Sequence, residues 1–101
     1  MNLETQAPDD FSICAHIIIR GKVQGVYFRQ NLKKIATENK VRGWVQNLEN
    51  GNVEAQLEGA PENVKKVIEW SKRGPEGADV KEVIIEYKEN SNNYQEFEIL
   101  H

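Results

Sequence analysis

From Ser12 to Arg20 the chain alternates. Ile13, Ala15, Ile17 and Ile19 fall on one side, and Cys14, His16, Ile18 and Arg20 on the other. A period of two predicts a strand with one well-buried face. Gly21 to Tyr27 carries two glycines and no apolar period, and reads as a loop. At Phe28 the period changes. Phe28, Leu32, Ile35 and Ala36 recur at i, i+4, i+7 and i+8, the stripe of an amphipathic helix, which Asn39 and Lys40 end. Val41 to Asn47 predicts a second strand. Leu48-Glu49-Asn50-Gly51 predicts a hairpin turn, Asn-Gly being its strongest signal.

Asn52 to Gly59 is the return strand, with Val53, Ala55 and Leu57 alternating. Pro61 suits the first turn of a helix. Val64, Val67 and Ile68 give that helix its buried stripe, and Gly74-Pro75 stops it. Val80 to Tyr87 is a strand rich in β-branched residues. Asn90 to Asn93 reads as a loop, and Phe97 and Ile99 belong to a short last strand. The order is β-α-β-β-α-β with an extra strand at the end. Two helices on one face of an antiparallel sheet is the ferredoxin-like α+β sandwich. That architecture serves enzymes, RNA binders and ligand sensors, so it does not decide function.

With 101 residues the chain has one domain's worth of length. Residues 12–101 are read as that domain, and residues 1–11, polar and acidic up to Phe11, as a flexible N-terminal tail. The tail has neither a basic start nor an apolar stretch, so it does not read as a signal peptide. The longest apolar run, Ile17-Ile18-Ile19, is far short of a membrane span. A cytoplasmic location without membrane attachment is expected. The net charge of -3 argues against a nucleic-acid partner, yet leaves room for one small anion in a locally positive pocket. Cys14 is the only cysteine, and His16 and His101 are the only histidines. No metal-ligand spacing follows from them, and no metal or other cofactor is expected.

The segment Gly21-Lys22-Val23-Gln24-Gly25-Val26-Tyr27-Phe28-Arg29 links a strand to a helix. Amide N–H groups at a helix start lack internal partners, and the helix dipole adds positive charge there. Gly21 and Gly25 let the backbone curl so that successive N–H groups converge on one anion. Arg29 adds a planar fork of donors that matches phosphate oxygens. Together these describe a phosphate cradle, without the Gly-Lys-Ser/Thr ending of a Walker loop. By spacing alone the same residues also fit a glycine-bearing connection followed by a surface arginine. Trp44, Gln46 and Asn47 likewise have plain readings as core, solvated surface and the start of a turn.

The run Ile19, Gly21, Val23-Gln24-Gly25-Val26, Phe28-Arg29 resembles the first acylphosphatase signature. Gly43-Trp44-Val45-Gln46-Asn47, with Gly51, Val53 and Gly59, resembles the second. Gly74-Pro75 and Ala78 also match the family's pattern, and the likeness runs from Cys14 to Leu100. Lys40 departs from it, standing where the family often has glycine. The resemblance implies a metal-independent hydrolase that converts a small acyl phosphate to a carboxylate and inorganic phosphate, which is both product and inhibitor. It implies catalytic roles for Arg29, which binds phosphate, and Asn47, which orients the attacking water. It implies further that the backbone of Gln24, Gly25, Val26, Tyr27 and Phe28 holds the phosphate. A monomer is expected.

Two other readings compete. RNA-recognition domains share the element order, and Arg42-Gly43-Trp44 superficially matches the start of their aromatic motif. That motif then fails at Val45, Gln46 and Glu49, and the charge has the wrong sign. A catalytically silent acylphosphatase-like domain that only binds anions remains a second alternative. Cys14 sits within a predicted strand and reads as a quiet structural thiol. His16 reads as a strand residue, and Trp44 and Trp70 as packing residues.

Overall fold

Period-two apolar runs and two amphipathic stripes must bury their faces against one another, and a two-layer sandwich is the result. A computed structural model describes residues 12–89 and 94–101. The expected tail, residues 1–11, and the expected loop at 90–93 lie outside the described residues.

The elements follow in the order β1 (Ile13–Lys22), α1 (Phe28–Glu38), β2 (Arg42–Asn47), β3 (Val53–Gly59), α2 (Pro61–Arg73), β4 (Asp79–Lys88) and β5 (Phe97–Ile99). The sheet order is β4-β1-β3-β2-β5. The four long strands pair antiparallel, as expected. The short fifth strand pairs in parallel with β2, so the whole sheet is mixed. Direction is a property of pairing, and a three-residue strand carries no local mark of it.

Ala15, Ile17 and Ile19 of β1, Val45 of β2 and Val53, Ala55 and Leu57 of β3 have no exposed surface. They face Leu32 and Ala36 of α1 and Val64 and Val67 of α2, which are equally buried. Each such side chain contributes roughly 1.5–3 kcal/mol relative to exposure. α1 lies over β2 and β5, and α2 over β4, β1 and β3.

β1 runs two residues past the expected end at Arg20, into the segment read as loop. Its register with β4 shifts between Arg20 and Gly21. Gly21 has φ +128, and a Cβ there would stand 2.2 Å from the Asp79 carbonyl oxygen. This glycine therefore serves a bulge against β4 rather than the curl of the following loop.

The face of the sheet away from the helices is polar but partly buried. His16 bonds Glu54 at 2.7 Å, and Gln46 donates to the other oxygen of the same carboxylate at 2.8 Å. Trp44, expected in the core, lies on this face, where its Nε1 donates to the Tyr94 hydroxyl at 3.3 Å. Gln46, expected to be solvated, is half-buried. Cross-strand neighbours, unseen in a single strand, claim both side chains. Trp70 packs edge-on against Phe28 with ring centroids 5.3 Å apart, in the packing role expected of it.

Candidate active site

β1 ends at Lys22, and the buried side chain of Val23 pins the next residue to the core. The chain then turns sharply. Gly25 has φ +78, with nothing within 4 Å of its Cβ direction. Only the lack of a side chain makes that conformation free of strain. Tyr27 follows in a left-handed conformation at φ 63 without glycine's freedom. Such a residue costs on the order of 1 kcal/mol, a strain found most often at functional segments. Tyr27 is the N-cap of α1, and no side chain caps the helix. Nor does any acidic residue occupy the first turn. The amides of that turn are thus left to a ligand or water.

Phe28 anchors the helix start. It is 2% exposed and packed under Trp70. Truncating so buried an aromatic ring costs about 3–5 kcal/mol. Arg29, next in the turn, is half-buried and forms no ion pair among the described residues. Its guanidinium is unspent.

The second segment comes from the β2–β3 hairpin. Asn47 is the last residue of β2 and is exposed. The turn after it closes through Leu48 N–H donating to Asn52 O (2.9 Å) and Gly51 N–H donating to Leu48 O (3.1 Å). The Gln24 side chain joins the two segments. Its amide nitrogen donates to Leu48 O at 2.8 Å and to Asn52 O at 2.9 Å. One side chain therefore clamps both ends of the turn to the glycine loop.

Between these segments lies a small concavity of about 230 Å³. Gln24, Gly25, Tyr27, Phe28, Arg29 and Asn47 line it, all of them singled out from the sequence. Val23 and Gln30 line it as well, and the sequence reading missed them. Flanking a glycine loop at a helix start was the only signal available for either. Val26 is not in the lining, and its side chain packs against the core instead.

Two further side chains bear on the chemistry. Burial pushes the Cys14 thiol above its ordinary value, and the Glu58 charge pushes the same way, so neutral pH leaves it protonated. Burial pushes the Glu54 carboxyl up, but the hydrogen bonds from Gln46 and His16 outweigh it and leave it below its ordinary 4.5. Both groups lie on the polar face of the sheet. Among the described residues no group of three or more His, Cys, Asp or Glu side chains could hold a metal ion. No described helix is long and apolar enough to cross a membrane.

Fold and concavity together define a ferredoxin-like α+β domain with an open pocket of about 230 Å³ at a strand-to-helix turn. The acylphosphatase family model matches residues 15–99. An acylphosphatase of Pyrobaculum arsenaticum is 54% identical over 87 residues, which span 85% of this chain and 92% of that protein. An acylphosphatase from Coxiella burnetii superposes with a TM-score of 0.88 at 34% identity, over 93% of this chain and 98% of that one. Full-length HypF, solved in a phosphate- and nucleotide-bound form, matches with a TM-score of 0.78 at 25% identity. That match covers 89% of this chain but only 12% of HypF. The chain belongs to the acylphosphatase family of enzymes, whose reaction is the hydrolysis of acyl phosphates.

Proposed function

We propose that the chain hydrolyses acyl phosphates in the concavity between the glycine loop and the hairpin, with Arg29 and Asn47 in separate roles. The observation that carries this reading is the shared lining: Arg29, the loop and Asn47 border one 230 Å³ space. The phosphoryl group lies against the amides from Gln24 to Phe28 and the Arg29 guanidinium, which neutralise its charge. The side-chain amide of Asn47 holds a water in line with phosphorus. The water oxygen attacks phosphorus as the bond from phosphorus to the acyl oxygen breaks. The carboxylate departs with that electron pair.

Charge neutralisation and positioning suffice because an acyl phosphate is already activated. Asn47 cannot accept a proton, so a phosphate oxygen takes it. No metal enters these steps. The substrate is a small molecule, the protein acts as a monomer in the cytoplasm, and the phosphate product competes for the cradle.

Acetyl phosphate is a direct probe. Purified protein should release one phosphate per acetate in the presence of EDTA. In ¹⁸O-labelled water the label should enter phosphate and not acetate. Label in acetate would mean attack at carbon, and dependence on added metal would also overturn the mechanism. Phosphate binding without turnover would identify a silent anion-binding domain.

A further inference from the structure

In the proposed mechanism the phosphoryl group and the water have partners, and the acyl group has none. The residues around the concavity narrow the choice. Val23 and Phe28 are buried, and Gly25 has no side chain. The Gln24 amide is spent on Leu48 and Asn52. With Arg29 given to phosphate and Asn47 to water, Tyr27 and Gln30 remain. Both are exposed, and neither side chain has a hydrogen-bond partner among the described residues.

Of these two, only Tyr27 is aromatic. Among the described residues three large hydrophobic side chains are exposed: Tyr27, Ile84 and Tyr87. Ile84 and Tyr87 belong to β4, whereas Tyr27, 72% exposed, borders the concavity. A lone exposed apolar residue is ordinary. The backbone beneath this one is not. An aromatic residue is held at φ 63, where glycine or asparagine would sit more easily. The Tyr27 carbonyl oxygen accepts the Asn31 backbone N–H at 3.1 Å and the Asn31 side-chain amide at 2.9 Å. The strained turn is thereby fixed by two bonds. Tyr27 is also the one residue from Val23 to Arg29 outside the run that matches the acylphosphatase signature.

We propose that Tyr27 is a specificity-determining residue, its ring receiving the acyl group at the rim of the concavity and favouring flat, uncharged acyl groups. This rests on the hydrolytic reading of the same site. In-line displacement sends the acyl group away from the water held by Asn47, and Tyr27 lies on the segment across the concavity from Asn47. The phosphoryl group is common to every substrate, so discrimination falls to the residue that meets the part that varies. An aromatic ring attracts another flat apolar group more than it does a methyl group. Arg29 is the only cation in the lining, and phosphate uses it. A carboxylate on the acyl arm therefore finds no partner.

Steady-state kinetics with benzoyl phosphate and acetyl phosphate tests this, through the ratio of their kcat/KM values. Comparing that ratio between variants cancels the intrinsic reactivity of the two anhydrides. Tyr27→Asn should lower the benzoyl-to-acetyl ratio about three- to tenfold, the scale for one aromatic contact, mainly through KM for benzoyl phosphate. Asparagine tolerates the left-handed backbone, so Tm should not fall. Tyr27→Phe should keep the ratio, because the ring and not the hydroxyl is what acts. A ratio unmoved by Tyr27→Asn, whether both rates hold or fall together, would overturn the proposal. So would a ratio lost in Tyr27→Phe, or succinyl phosphate turned over better than benzoyl phosphate by wild type. No turnover of either substrate by wild type would instead remove the hydrolytic reading, and this proposal with it.

Discussion

Gln24 donates its side-chain amide to the Leu48 carbonyl oxygen 2.8 Å away, and Leu48 is the residue directly after Asn47. The glycine loop and the hairpin are thereby held at a set separation, with a second bond to Asn52 bracing the far side of the turn.

If that clamp sets the distance from Arg29 to Asn47, Gln24→Ala should lower kcat by about 10- to 100-fold, the scale for small misplacements of reacting groups. KM should change less, since the loop amides remain. Two carbonyl oxygens also lose one of their two donors, each keeping its backbone bond within the turn, and the two lost bonds should lower stability by about 1–3 kcal/mol. Steady-state kinetics and urea unfolding of the variant check both effects. Normal turnover would show that the clamp is only structural.

Arg29 and Asn47 should separate kinetically. In the proposed mechanism Arg29 serves bound phosphate and transition state alike, so Arg29→Ala should remove most turnover and weaken phosphate inhibition. It should also abolish the phosphate-induced rise in Tm. Arg29→Lys should restore little, because a point charge lacks the two-pronged geometry. Asn47→Ala should cut kcat on the order of 10²-fold with phosphate affinity nearly unchanged. Measured kcat, KM and phosphate inhibition constants decide this. Normal turnover in Asn47→Ala would contradict the water-holding role.

Glu54 makes part of the stability pH-dependent. Its folded-state carboxyl sits below the ordinary 4.5, so the unfolded chain binds that proton more tightly. The stabilisation is fully present above about pH 4.5 and is lost as pH falls through the lower folded value. Glu54→Gln should therefore flatten the acid limb of a plot of urea midpoint against pH. An unchanged slope would show that the bonds from His16 and Gln46 do not favour the ionised form.

Cys14 should be chemically quiet. The thiol is 1% exposed and its sulfur accepts a bond from Gln56 Nε2 at 2.9 Å. Alkylation by iodoacetamide should be slow in the folded state and fast in urea. Cys14→Ser should leave kcat within about twofold and cost on the order of 1 kcal/mol. A collapse of kcat with the fold intact would make the thiol catalytic.

What the sequence by itself determined is local. Period-two runs, the stripe from Phe28 to Ala36, the Asn50-Gly51 turn and the proline at Pro61 each depend on residues close in the chain, and the elements appear where these features put them. The first wall of the concavity was legible for the same reason, since a glycine loop, a helix start and Arg29 are contiguous. Tertiary structure decided the rest. Gly21 belongs to a bulge only because β4 lies beside it. Trp44 faces away from the helices because its neighbours across the sheet are Gln56 and Glu98. Nothing near Gln24 in the chain predicts that its amide spans to Leu48 and Asn52, 24 and 28 residues on. The parallel pairing of β5, too, exists only once β2 offers an edge. Backbone and side-chain hydrogen bonds between distant segments have no local signature, because either partner alone would be satisfied equally well by water.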